Sequence, residues 1–457
     1  MKMSINRKVA DCKMEAKATF GCLAAIVVLM VTQIITYYYK YFLHHPSLRS
    51  PNPINFQQKP AFDEFLSKEP KLKSNANINI KYILYYTKFF NQEDWGIGYG
   101  QRPFIDAECS VQNCYLTSNK AFLSNINKFD AILFHMRNLE HEKPWITRSS
   151  TWNKMMNERN PRQRYIMYTL ESPANDQFRY DFFDNFFNWT MTYRLDSDIP
   201  QPYGWISRIG DTSLEPPSGT SMVENSDMIE SGSKGALFNY SDGAPQLVSS
   251  KTHSPQKRLI AWMVSNCHTV SERENYVLEL QKYVPVDVYG KCKNAIHDKN
   301  QLLSCPKGLG DECWEMINKK YKFYLSFENS RCYGYITEKF WKIMERDDVV
   351  PIVLGGADYH SHAPENSYID AKKFSSVKDL ANFILEIDKN ETERQNYFNW
   401  KTMFRATHKF SSRKIKLKRI CRICEALNAP LTTWPVKSYP HIQDWWRGKP
   451  GNGHCIQ

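Results

Sequence analysis

Short apolar runs separated by longer polar stretches recur along this chain, and they limit its possible folds more than any other feature. KYILYYT (81–87), FDAILFH (129–135) and RYIMYTLE (164–171) form one group, while RLIAWMV (258–264) and the runs at 285–289, 322–327 and 349–354 form a second. Each is too short for a buried helix and rich in β-branched or aromatic residues, so each reads as a buried strand. Their alternation with longer connections predicts α/β layers built on parallel sheets. Between the groups, residues 211–257 are rich in Ser, Gly, Pro and acids and have no sustained apolar period. That stretch reads as a linker or flexible insertion. The expected body is therefore a first lobe over 81–210, a second over 258–405 and a cysteine-bearing C-terminal tail over 406–457, with a ligand cleft between the lobes.

The N-terminus bears on the compartment. Ala18 to Tyr39 is a stretch of 22 residues without a charge, preceded by Lys2, Arg7, Lys8, Lys13 and Lys17 and ending on Tyr37, Tyr38 and Tyr39. Its length suits a hydrocarbon core, and its basic flank favours the cytosol. The reading is a cytosolic tail (1–17), a signal-anchor helix (18–39), a stem (40–80) and a lumenal body. A cleaved signal peptide is the alternative, but the run is long for that role and lacks an A-x-A exit. Asn188, Asn239 and Asn390 each open a glycosylation sequon. Of 12 cysteines, ten lie beyond the apolar run: Cys109, Cys114, Cys267, Cys292, Cys305, Cys313, Cys332, Cys421, Cys424 and Cys455. An even number in an oxidising compartment predicts disulfides. Cys421 and Cys424 form a CxxC, yet no second CxxC or close His pair completes a metal cage. The net charge of +12 is accompanied by no nucleic-acid-reading motif.

Two strand–loop–helix units carry the candidate chemistry, because phosphates bind where a strand's end feeds a helix N-terminus. After RLIAWMV, Ser271-Glu-Arg-Glu274 fits a capping box, placing Arg273 in a first turn where its fork can grip a diphosphate. On these residues alone an exposed arginine on an ordinary capped helix is the better reading. The second unit is the strand YKFYLSF (321–327), the loop ENSRCYGY and the helix TEKFWKIM (337–344). Thr337 can cap that helix, putting Glu338 and Lys339 in its first turn. There the carboxylate can accept from sugar hydroxyls and the ammonium can neutralise a leaving phosphate.

FENSRCYGYITEKFW resembles the donor-binding signature of the inverting, GDP-fucose-dependent α1,3-fucosyltransferases, glycosyltransferase family 10. SNC…SxR around Arg273 is similar to a second element of that family, and ESPAN (171–175) followed by FNWTMTYRLDSDIPxPYG (187–204) to a third. The three stand in the family's order across roughly residues 81–405. The cysteines at 267, 292, 305, 313 and 332 look most like the invertebrate and plant branch that modifies N-glycan cores. The resemblance implies a GT-B-like fold of two Rossmann-like lobes in a type II Golgi membrane protein. It implies Glu171 as catalytic base and Arg273, Asn329, Tyr335, Glu338 and Lys339 as donor contacts, with Glu338 at the ribose and Lys339 at phosphate. The expected partners are GDP-fucose and an N-glycan or other GlcNAc-containing acceptor, not nucleic acid.

Asp196-Ser-Asp198 looks like a metal-binding DxD, but it lies far in sequence from every donor motif, and in the resembled family it belongs to a structural element. No metal site and no tightly bound cofactor are expected; manganese can still raise activity without a dedicated site. One departure is Gly334, where many relatives carry an acidic residue. The rival readings are another nucleotide-sugar transferase of the same architecture and a non-catalytic carbohydrate-binding membrane glycoprotein.

Overall fold

The two strand groups build two separate five-stranded sheets, and every pairing within each is parallel. The computed structural model describes residues 79–139, 155, 158–176, 178, 180, 183–211, 257–294, 311–449 and 452–456. The 18–39 run, nearly all of the 40–80 stem, the 211–257 insertion apart from its two ends, Asn239 and Cys305 lie outside them. Among the described residues no helix is long and apolar enough to cross a membrane.

The first sheet contains β1 (Lys81–Tyr85), β2 (Cys114–Thr117), β3 (Ala131–His135), β4 (Arg164–Thr169) and β5 (Trp189–Thr192), in the order β2-β1-β3-β4-β5. Leu84, Ile132, Phe134, Tyr165 and Met167 pack on one face; Ile83, Tyr85, Leu133, Ile166 and Tyr168 pack on the other. Burial of both faces is why these strands read as unbroken apolar runs rather than alternating ones. After β6 (Gly204–Arg208), the second sheet has β7 (Arg258–Met263), β8 (Val286–Tyr289), β9 (Tyr321–Phe327), β11 (Val350–Leu354) and β12 (Ile369–Asp370), in the order β12-β11-β9-β7-β8. The short β10 (Arg331–Cys332) lies in the loop after β9. Both sheets belong to one compact unit, Ile78–Gln457.

The segment expected to be a tail is instead part of the first lobe. The chain leaves the second lobe through β13 (Phe404–His408), which pairs antiparallel with β6. Leu417, Ile420 and Ile423 then cover one face of the first sheet, and Ile442 and Trp446 join the core on the other. Cys421 and Cys424 do not bridge each other: they pair with Cys109 and Cys114, across 312 and 310 residues. Cys267–Cys292 and Cys332–Cys455 close two further bridges, and Cys313 is bonded to a cysteine outside the described residues.

Crosslinks over such long separations restrict the unfolded chain strongly, by about 2–5 kcal/mol each. Replacing Cys421 and Cys424 together by serine should therefore lower the midpoint of thermal unfolding by many degrees. Non-reducing peptide mapping of the parent protein should recover the 109–421 and 114–424 pairs; a 421–424 pair would contradict this arrangement.

Candidate active site

The loop after β9 is organised by a carboxylate that the apolar strand carries into the interior. Glu328 is fully buried, and its oxygens accept from the Thr337 backbone N–H (2.7 Å) and the Thr337 hydroxyl (2.8 and 3.0 Å). Lys339 reaches the same carboxylate at 3.3 Å. Thr337 caps the Glu338–Met344 helix as expected, and Phe340, Trp341, Ile343 and Met344 are buried beneath it. Lys339 Nζ also donates to the Thr337 hydroxyl (2.8 Å) and to Glu338 (3.1 Å). Its ammonium thus lies between two carboxylates.

Each charge in this knot shifts the others. Burial pushes the Glu328 carboxyl up, with Lys339 opposing. Burial works against the Lys339 ammonium, but Glu328 and Glu338 outweigh it and hold its pKa above the ordinary value. Burial also works against ionised Glu338, yet Lys339 beside it brings that carboxyl down to about 2. With a depressed folded-state pKa, the stability Glu338 contributes is present above its ordinary value of 4.5 and is lost as pH falls toward about 2.

Glu171 comes from the other lobe, two residues beyond β4. Four donors converge on its Oε1: the Tyr335 hydroxyl (2.8 Å), Asn175 Nδ2 (3.1 Å), the Ser172 N–H (3.2 Å) and, at 3.4 Å, Asn329 Nδ2. Among the described residues no hydrogen bond reaches Oε2. Ser330 Oγ meets buried Ser172 Oγ at 2.6 Å. The signature loop therefore touches the end of the first sheet directly, and two residues expected at the donor, Asn329 and Tyr335, hold the carboxylate of Glu171. Tyr335 is buried against Tyr193 at a ring separation of 4.9 Å. Burial, with Tyr203 and Glu171 adding to it, keeps its phenol protonated as a donor. Gly334 adopts φ +65°, a conformation glycine takes at less cost than a residue with a side chain.

Arg273 opens the Arg273–Leu280 helix, but the capping box does not form around it. Glu272 precedes the helix at φ +51° without a side-chain cap, and Glu274 reaches back to Thr269 instead, at 2.7 and 2.9 Å. Ser271 donates its hydroxyl to the Glu328 carbonyl (2.7 Å). The Arg273 guanidinium is buried and donates to the carbonyls of Phe327 (2.6 Å) and Asn266 (3.5 Å), and its Nε has no hydrogen-bond partner among the described residues. It braces the end of β9 from beneath rather than lying exposed on its helix.

Other sequence expectations fall elsewhere. Asp196 is bound by Arg194 at 2.6 and 2.8 Å. Asp198 accepts from the Thr190 N–H (2.8 Å) and the Tyr439 hydroxyl (2.7 Å) and pairs with Lys437. Both carboxylates stitch the C-terminal segment and neighbouring turns to β5. At the Asn188 sequon the residue is 4% exposed and its Nδ2 donates to the Lys437 carbonyl (2.6 Å). Asn390 is exposed and caps the helix Glu391–Asn396. Glu328 was missed by sequence reasoning, although a glutamate directly ending an apolar strand was its signal.

A carboxylate at the end of one parallel sheet, held by a cation-bearing loop from the end of another, suits the transfer of a group between two ligands in a cleft; this is an α/β glycosyltransferase fold. The family model described as "Fucosyltransferase, N-terminal" matches residues 78–204, and "Glycosyltransferase family 10 (fucosyltransferase) C-term" matches residues 253–445. The chain is 32% identical over 369 residues to alpha-(1,3)-fucosyltransferase C of Drosophila melanogaster, covering 80% of this chain and 77% of that one. It is 34% identical over 357 residues to glycoprotein 3-alpha-L-fucosyltransferase A of the same organism, covering 78% of this chain and 58% of that one. A solved α1,3-fucosyltransferase with GDP-fucose is matched at a TM-score of 0.40 and 15% identity, over 72% of this chain and 84% of that one. On the sequence matches, the chain belongs to glycosyltransferase family 10 and is an enzyme of the α1,3-fucosyltransferase class.

Removing the buried carboxylate leaves the Thr337 N–H without its acceptor and Lys339 with one of its two carboxylates. Glu328→Ala should cost about 3–5 kcal/mol in denaturant unfolding, far more than Glu338→Ala at the half-buried neighbouring carboxylate. Equal, small losses for the two would remove Glu328 as the organiser of the loop.

Proposed function

We propose that this enzyme moves fucose from GDP-fucose to a GlcNAc hydroxyl of glycoprotein glycans, O3 by preference, with inversion at the anomeric carbon. The observation that carries this reading is the half-used carboxylate of Glu171: its Oε1 is saturated by donors and its Oε2 is left to take a proton. Inversion in one step needs a base on the acceptor side of the sugar, and a fixed carboxylate at a lobe edge supplies it. Oε2 accepts the proton of the acceptor hydroxyl as that oxygen bonds to the anomeric carbon, and the bond to the GDP oxygen breaks on the opposite side. Lys339 and Arg273 are assigned to the charge that develops on the leaving diphosphate, and Glu338 to the ribose hydroxyls. Support comes from the family membership and from the contact between the signature loop and Glu171. A cavity of about 220 Å³ lined by Tyr86, Lys88, Glu93, Ser118 and Lys120 lies at the same edge of the first sheet. It is the place we assign to the remainder of the acceptor. The GT-B arrangement, the Golgi membrane location and the signal-anchor at 18–39 belong to the same proposal.

Incubation of the protein with GDP-fucose and a panel of N-glycan cores and LacNAc- or LacdiNAc-type antennae tests the reading, with the linkage of the product determined by NMR. Glu171→Gln should reduce turnover by roughly 10²–10⁴-fold while GDP affinity stays within about twofold; unchanged turnover would remove Glu171 as the base. Lys339→Ala should both weaken GDP and slow transfer. Thorough EDTA treatment should leave appreciable activity, whereas complete loss restored by manganese would point to a dedicated metal site.

A further inference from the structure

Lys409 is a buried lysine that the proposed mechanism leaves unused. It directly follows β13, its side chain is 2% exposed, and its Nζ has no hydrogen-bond partner among the described residues. The ammonium sits 3.5 Å from the centroid of the Tyr203 ring and 5.0 Å from that of Phe410. Arg419 and Glu338 are the charged groups acting on it, and burial first, then Arg419, pulls its pKa well below the ordinary value while Glu338 opposes. Burial without a counter-charge penalises the ammonium and favours the neutral amine, and an anion placed beside Nζ would restore the charge.

Its location indicates where such an anion would enter. The Lys409 N–H donates to the Tyr203 carbonyl (3.0 Å), and the Tyr203 hydroxyl donates to the carbonyl of Leu170 (2.8 Å), next to Glu171. The Tyr203 ring stands edge-on to Tyr335, which holds Glu171. Lys409 is therefore located where the base segment of the first lobe meets the donor loop of the second. Tyr203, Glu338 and Arg419 around it are only half buried, so solvent reaches the residues that surround its side chain. The two cations assigned above to the diphosphate are already occupied: Lys339 by Glu328 and Glu338, Arg273 by two carbonyls. Lys409 alone among these three has nothing to release before it meets an anion.

We propose that Lys409 is an anion-binding residue of the cleft that meets the diphosphate of the bound nucleotide. This rests on the function proposed above. The test uses the full-length protein, with GDP and guanosine affinities measured by calorimetry or competition and apo melting followed in parallel. Lys409→Met keeps the bulk over Tyr203 and removes the charge. It should weaken GDP by roughly ten- to a hundredfold and leave guanosine unaffected, with an apo melting temperature no lower than the parent's. Lys409→Arg should restore most of the GDP affinity. Unchanged GDP affinity in Lys409→Met overturns the proposal, as does an equal loss in both variants accompanied by a fall in apo melting, which marks a packing role. If the parent protein prefers another nucleoside diphosphate, the fucose reading fails, and Lys409 is then judged by the same comparison of that diphosphate with its nucleoside.

Discussion

The carboxylate of Glu328, fully buried at the end of β9, has to be met by donors inside the protein, and the shape of the cleft follows from how that is done. Burying a carboxylate costs several kcal/mol unless hydrogen bonds and a counter-charge offset it. Thr337 supplies two donors and Lys339 the charge. To bring them there the chain must turn back on itself between Asn329 and Ile336, and that reversal carries Asn329, Ser330 and Tyr335 against the first lobe. A buried ion pair is a poor source of net stability, but it tolerates few alternative loop conformations. Here that selectivity keeps the Asn329–Ile336 loop and Glu171 in register.

The first lobe is completed only by the end of the chain. Helical segments after β13 cover both faces of its sheet, two disulfides tie them to β2 and the turn before it, and Cys455 returns to the donor loop through Cys332. The chain thus crosses between lobes twice, through β6 and through β13, and the two crossings are paired with each other. Gly204 shows how closely this ribbon packs on the donor side: a Cβ there would lie 2.4 Å from the Trp341 ring. Lobe positions set by a paired ribbon and covalent bridges vary less than positions set by a single linker.

These features differ in how far the sequence reveals them. The core strands of both sheets are legible because burial on two faces leaves an uninterrupted apolar run, and Thr337 is legible as a cap because capping is a local property. β2, β5 and β6 are short and half polar (CYLT, WTMT, GWISR), so only their partners in space make them strands. Pairing of Cys421 and Cys424 with residues more than 300 positions earlier cannot be deduced from spacing. A sequon is likewise a local triplet and cannot report that Asn188 is folded inward. The site was legible as a set of residues and less so as a set of roles. Tyr335 and Asn329 stand in the donor signature, yet their side chains face Glu171, a contact that exists only once the lobes meet. Arg273 was expected to open a capped helix, with a donor contact implied by the resemblance; the capping box does not form, and the guanidinium is buried against two backbone carbonyls.

One consequence concerns how base and leaving-group charge are held relative to each other. An inverting displacement needs them on opposite sides of one carbon, and a misplacement of about 1 Å can cost two orders of magnitude in rate. In many two-lobed proteins that distance would depend on the closure angle. In the mechanism proposed above a single loop grips both: Tyr335 and Asn329 bind the Glu171 carboxylate, and Lys339, a few residues on, carries the ammonium assigned to the leaving group. The separation is therefore set within the span from Asn329 to Lys339, whose two ends are clamped by Glu171 on one side and Glu328 on the other. Because Glu171 is held to the loop by hydrogen bonds that cross between the lobes, any opening at this edge of the first sheet has to break them first.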